Sequence, residues 1–171
     1  MEKIILCGYM ASGKTTTAHL LAKASGLPYI DLDEVLETVS GKSISELFEA
    51  VGEIKFRKME HDALTSIVNR SEGFVLSLGG GTPCYANNHL VLERDDVVSI
   101  YLKVAIPELG RRIRLQEGKR PLVKKLGDDE LDEFIAKHLF ERSYFYHKAK
   151  HVLSADGKTP EQMINEIMSL Y

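Results

Sequence analysis

The sequence predicts an α/β protein: a doubly wound parallel sheet of five strands flanked by helices. Short apolar runs alternate with longer amphipathic stretches along the 171 residues. Such alternation builds right-handed strand–helix–strand crossovers. The first run passes straight into "GYMASGKT", the pattern G-x-x-x-x-G-K-[ST] in the place it requires, after a strand and opening a helix. A later run ends in three glycines, at the carboxyl end of a strand, where open α/β sheets bind ligands.

Each strand has its own signature. "KIILCG", "GFVLSLGG" and "DVVSIYLK" are short, rich in β-branched or large apolar residues, and bounded by glycine or charge, as strands covered on both faces are. "LPYIDLD" and "HVLSA" complete the five. Helices are expected over "GKTTTAHLLAKASG", "SISELFEAVGEIKFRKMEHDALTSIVNR", "PELGRRIRLQE", "DELDEFIAKHLFERSYFYHKAK" and "TPEQMINEIMSLY". Ser43 with Glu46 fits a capping box, and Thr159 before Pro160 an N-cap with proline in the first turn. The polar, glycine-punctuated "EGKRPLVKKLGDDE" reads as a mobile surface loop.

Length and composition bound the function. One domain over residues 1–171 is long enough to bury a core, and 44% hydrophobic with 27% charged residues is an ordinary globular balance. A net charge of −3 argues against a general nucleic-acid binder. Cys7 and Cys84, with no CxxC spacing, suggest two buried free thiols rather than a disulfide or zinc site. The apolar run Ile4–Cys7 is too short to span a membrane, and no targeting segment is evident. A cytoplasmic monomer is the expectation.

In the phosphate loop, Gly8 and Gly13 permit backbone conformations barred to residues with a Cβ, so that successive N–H groups converge on an anion. The helix N-terminus adds positive potential. Lys14 is placed to reach the β- and γ-phosphates of a nucleoside triphosphate, and the Thr15 hydroxyl to ligate Mg²⁺. The loop alone does not say whether the chain is a switch, a motor or a kinase. No N-K-x-D tetrapeptide reads guanine, and no strand ends in the aspartate of most phosphate-loop ATPases. "DLDEV" supplies Asp31 and Asp33 instead. On an extended segment, side chains two apart point the same way, so one carboxylate can serve the metal and the other an acceptor hydroxyl. Gly79, Gly80 and Gly81 let a second substrate lie close. Arg57, Arg120 and Arg142 are candidates for anionic groups.

Together "GYMASGKTT", "DLDEVLE", "GEIKFRKME", "LGGGTP", "KRPLV" and "ERSYFY" resemble the shikimate kinase family, in its order and spacing, from Gly8 to Tyr146. The resemblance implies a nucleoside-monophosphate-kinase-like fold, with a substrate-binding region near 32–60 and a lid near 110–126. It implies ATP-dependent phosphorylation of the 3-hydroxyl of shikimate, on the route to aromatic amino acids, with Mg²⁺ as cofactor. In those terms Lys14, Asp33 and Arg120 are catalytic. Gly8, Ala11, Ser12, Gly13, Lys14, Thr15, Thr16, Arg112 and Arg120 hold the nucleotide. Asp33, Arg57, Gly79, Gly80, Gly81 and Arg142 hold shikimate, and Thr15 and Asp31 serve the metal. Another small-molecule kinase of the same fold, for gluconate or a nucleotide, is the alternative.

Two positions depart from the family. Thr15 replaces a commoner serine with equivalent chemistry. Ala11 stands where glycine is frequent, which costs little provided its φ is negative. Arg111, Arg112 and Arg114 all compete for the arginine that stacks on adenine, with Arg112 preferred.

Overall fold

The computed structural model describes residues 1–116 and 126–171. Arg120 and most of the expected lid lie outside the described residues. The five strands are β1 (Lys3–Cys7), β2 (Tyr29–Asp31), β3 (Phe74–Ser77), β4 (Val97–Lys103) and β5 (His151–Ser154). All pair in parallel, in the order β2-β3-β1-β4-β5. The central strands are buried on both faces, with every residue of β1 and β3 enclosed. That burial is why they read as unbroken apolar runs rather than alternating ones.

The helices are α1 (Lys14–Ser25), α2 (Leu32–Ser40), α3 (Ile44–Val51), α4 (Glu53–Val68), α5 (Ile106–Leu115), α6 (Asp128–Tyr146) and α7 (Pro160–Met168). Two 3₁₀ turns, Thr82–Cys84 and Asn88–Glu93, follow β3. The capping boxes expected at Ser43 and Thr159 are both formed. One core takes in β1, β3, β4 and the inward faces of α1, α4, α6 and α7. A smaller cluster of Leu36, Leu47 and Phe56 joins α2, α3 and α4.

Three expectations need correction. The long helical stretch from Ser43 to Arg70 is two helices, broken at Gly52. That residue adopts φ 79° and ψ 168°, a conformation essentially reserved for glycine. Asp31 and Asp33 do not share an extended segment. The strand stops at Asp31, which caps α2, so Asp33 sits in the helix's first turn. Cys84 is only half-buried, whereas Cys7 is enclosed. Burial raises the Cys7 thiol to about 12 and that of Cys84 to about 11, leaving both protonated near neutral pH.

Candidate active site

The order β2-β3-β1 brings the carboxyl ends of three strands side by side, and each ends in a candidate segment. After β1 the chain turns through the phosphate loop. Gly8 has φ 151°, and a Cβ there would stand 2.8 Å from the Leu102 carbonyl oxygen, so only glycine fits. The Ser12 N–H donates to the Tyr9 carbonyl (3.2 Å), and the Ser12 hydroxyl is buried with no hydrogen-bond partner among the described residues. Ser12 therefore shapes the turn rather than facing the cavity. Lys14, 8% exposed, folds back to donate to the Gly8 and Tyr9 carbonyls (2.8 and 2.9 Å).

Ala11 overturns the condition set for it. Its φ is +61°, in the left-handed region where an L residue with a Cβ costs about 1–2 kcal/mol. The loop tolerates this strain because its ends are held by β1 and α1.

After β2, the capping of α2 orients Asp31. Its Oδ1 accepts from the N–H groups of Asp33 (2.9 Å) and Glu34 (3.2 Å). Its Oδ2 accepts from the hydroxyls of Thr15 (3.4 Å) and Tyr29 (3.3 Å). One oxygen thus ends the strand and the other meets the phosphate loop. Thr15 and Asp31 present two hard oxygen donors on the cavity, which fits Mg²⁺. That ion characteristically takes one or two protein oxygens and completes its shell with phosphates and water. Among the described residues no group of three or more His, Cys, Asp or Glu side chains forms an all-protein metal cage.

After β3 lie the three glycines, and side chains from distant elements press against them. A Cβ on Gly79 would stand 3.1 Å from Asp33 Oδ1, one on Gly80 3.5 Å from Arg142 Nη1, and one on Gly81 3.0 Å from Arg57 Nη2. The missing side chains are the space these groups use. Arg57 Nη1 donates to Glu60 (2.9 Å), and its guanidinium lies 3.9 Å over the Tyr85 ring. Glu60, 1% exposed, also accepts from the Thr82 hydroxyl (2.9 Å). Such pairing is what a buried carboxylate requires. Asp33 itself is raised to about 6, first by burial, then by the negative charges of Asp31 and Glu60, with Lys14 opposing.

A cavity of about 630 Å³ joins these parts. Lys14, Thr15, Thr16, Asp31, Asp33, Gly79, Gly80, Gly81, Arg112 and Arg142 all line it. Arg57 is not part of that lining; its Nη2 would stand 3.0 Å from a Cβ on Gly81, on the same side as Arg142 Nη2 at 3.5 Å, and it borders another hollow with Tyr85. Of the three competing arginines, only Arg112 reaches the phosphate loop, donating to the Ala11 carbonyl (3.3 Å) while Glu108 holds its Nε (3.0 Å). Arg111 pairs outward with Glu108, and Arg114 turns to Leu126 and Asp128.

Several partners have no role assigned by the sequence. Glu60, Thr82 and Tyr146 fall inside the stretches "GEIKFRKME", "LGGGTP" and "ERSYFY", which give them none, and Tyr85 falls in no such stretch. Only Glu60, three residues after Arg57 on a helix, could have been paired with it by spacing.

A phosphate loop opening on a cavity lined by Asp33, three glycines and Arg142 is the arrangement of a phosphate-loop kinase for a small acceptor. The comparisons with known proteins agree. The shikimate kinase family model matches residues 10–171. The shikimate kinase of Flavobacterium psychrophilum is 49% identical over 167 residues, covering 98% of this chain and 97% of that protein. A crystal structure of shikimate kinase from Bacteroides thetaiotaomicron superposes with a TM-score of 0.87 at 34% identity, over 99% of this chain and 96% of that one. Shikimate kinase from Acinetobacter baumannii in complex with shikimate gives 0.84 at 26% identity, over 99% and 92%. The chain belongs to the shikimate kinase family. Its enzyme class is that of an ATP-dependent kinase, and the gluconate or nucleotide alternative is not favoured. Among the described residues no helix is long and apolar enough to cross a membrane.

Proposed function

We propose that the chain transfers the γ-phosphoryl group of ATP to the 3-hydroxyl of shikimate, with Asp33 as base or orienting group. The observation that carries this reading is the convergence of Asp33, Arg142 and Arg57 on Gly79–Gly81, across the cavity from Lys14. The one carboxylate of shikimate suits a planar guanidinium, and its ring hydroxyls suit an aspartate. Arg142 contacts the acceptor carboxylate from within the cavity, and Arg57, beside it at Gly81, completes the clamp.

In the reaction the acceptor oxygen bonds to the γ-phosphorus as the bond to the leaving ADP oxygen breaks, and the hydroxyl proton passes to Asp33. Lys14 and the loop N–H groups of Gly13, Lys14, Thr15 and Thr16 hold the phosphates, which is most of what phosphoryl transfer asks of a protein. Thr15 and Asp31 would hold Mg²⁺, directly or through water, and the ion would supply positive charge to the phosphates. Arg112 also borders a second hollow, with Asp156, Gly157 and Lys158. A nucleotide with its phosphates in the loop therefore lays its base along Arg112. Arg120 and the lid rest on the sequence resemblance, whereas a cytoplasmic location and a monomeric state rest on composition and the single apolar core.

The test is an ADP-release assay with shikimate, gluconate and nucleoside monophosphates in parallel. Turnover with shikimate alone is expected. Turnover with another acceptor and none with shikimate would contradict the reading.

A further inference from the structure

Parallel strands fix where two loops begin but leave their tips free. A kinase needs the tips themselves aligned, because a misplacement of 1 Å can cost on the order of 10²-fold in rate. In this chain α6 meets both tips. Three of its residues, His138, Arg142 and Tyr146, are spaced four apart and so fall on one face. At one end, His138 Nδ1 is hydrogen-bonded to the Tyr9 hydroxyl (2.9 Å), with the two rings edge-to-face. At the other, the Tyr146 hydroxyl donates to the Gly80 carbonyl (2.6 Å). Arg142, between them, lies against Gly80 and Gly81.

Both tyrosines are almost wholly enclosed, at 1% and 0% exposure, and a buried hydroxyl needs a partner. Each hydroxyl reaches a group on another segment, and the Tyr146 hydroxyl is also hydrogen-bonded to the Arg142 side chain. Tyr9 also accepts Lys14 Nζ on its carbonyl (2.9 Å), so one residue links α6 to the lysine that faces the phosphates. The two loops abut directly: a Cβ on Gly80 would lie 3.4 Å from the Met10 nitrogen and 3.7 Å from the Gly8 carbonyl oxygen.

We propose that α6 is a strut that holds the phosphate loop and the triple-glycine loop in register through these two hydroxyls. Tyr9, His138 and Tyr146 are then positioning residues for phosphoryl transfer. This inference rests on the assignment of donor and acceptor loops made above. Neither tyrosine lines the cavity, so removing a hydroxyl is expected to disturb alignment far more than binding.

Tyr9→Phe and Tyr146→Phe keep the packed rings and delete only the hydroxyls. In the full-length enzyme each is expected to lower kcat about tenfold, part of the loss that misalignment brings. KM for ATP and for shikimate should stay within about twofold, as an effect confined to the transition state requires. His138→Ala should match Tyr9→Phe, and the double variant should be no worse than either single, since one interaction is lost once. His138→Asn, which keeps a polar atom near the position of Nδ1, should recover most of the rate; this pair decides the matter if a Phe variant fails to fold. Parental kcat in either Phe variant overturns the strut, because it needs both ends. So does a kcat loss that His138→Asn shares in full, or one explained by a lower Tm and a smaller active fraction. A parent enzyme inert toward shikimate would instead refute the assignment of the loops, and would show before any variant was made.

Discussion

The two halves of the cavity are built by opposite means. The proposed donor half is one continuous stretch, Gly8 to Thr16, which offers backbone N–H groups, a helix N-terminus and one lysine. The acceptor half is gathered from α2, α4, the segment after β3 and α6, so that Asp33 and Arg142 stand 109 positions apart in the chain (142 minus 33). Its glycines supply space, and its charges are held by side-chain partners such as Glu60 and Thr82. Binding a phosphate needs only local geometry, whereas choosing one alcohol among many needs groups that the fold alone can bring together.

That contrast orders the expected effects. On the donor side, Lys14→Ala should cut kcat by about 10²- to 10³-fold, the scale of losing one preorganised charge at a transition state, while shikimate binding, measured by calorimetry, stays near parental. A comparable loss of shikimate affinity would show that the halves are not separable.

On the acceptor side, Asp33→Asn should lower kcat by about 10²-fold if Asp33 takes the proton. Burial, with the charges of Asp31 and Glu60, raises this carboxyl to about 6. The kcat/KM of the parent should therefore fall as pH drops through about 6, and the variant should lack that inflection. The linkage has a definite sign. A carboxyl whose folded value is raised adds stability below its unfolded value of about 3.8 and loses it as pH rises through about 6. Asp33→Asn should then raise Tm at pH 8 and leave it little changed at pH 4. An unchanged Tm at pH 8 would mean that Asp33 carries no burial penalty for function.

The smallest effect returns to the donor loop. Ala11 holds φ +61°, so Ala11→Gly relieves strain while adding freedom to the unfolded chain. A gain of up to about 1 kcal/mol is expected, or about 2–4 °C in Tm. A loss of stability would show that contacts of the Ala11 methyl outweigh the strain.

How legible each half was follows from the same contrast. The loop from Gly8 to Thr16 could be read whole, because consecutive residues form it. The five strands were legible because burial on both faces leaves unbroken apolar runs. Asp33, Arg57 and Arg142 could be singled out as candidates, but their joint role came only with the family resemblance, since a lone aspartate or helix arginine carries no chemistry of its own. What went unread were contacts that need the fold. The break at Gly52 was signalled by its glycine, but its φ of 79° was not. The cap at Asp31 required knowing where β2 stops. The pairing of Tyr9 with His138 spans 129 positions, and no motif spans that. The Ala11 φ was misjudged because a turn's backbone angles depend on how both ends are anchored.

The account stands or falls on the acceptor half holding a carboxylate. The most direct measurement is the pair of KM values, for shikimate and for ATP, in Arg142→Ala. Losing one partner of a buried charge pair should raise KM for shikimate by about 10- to 100-fold, with KM for ATP within about twofold of the parent. Equal rises for both substrates, or an unchanged KM for shikimate, would contradict it.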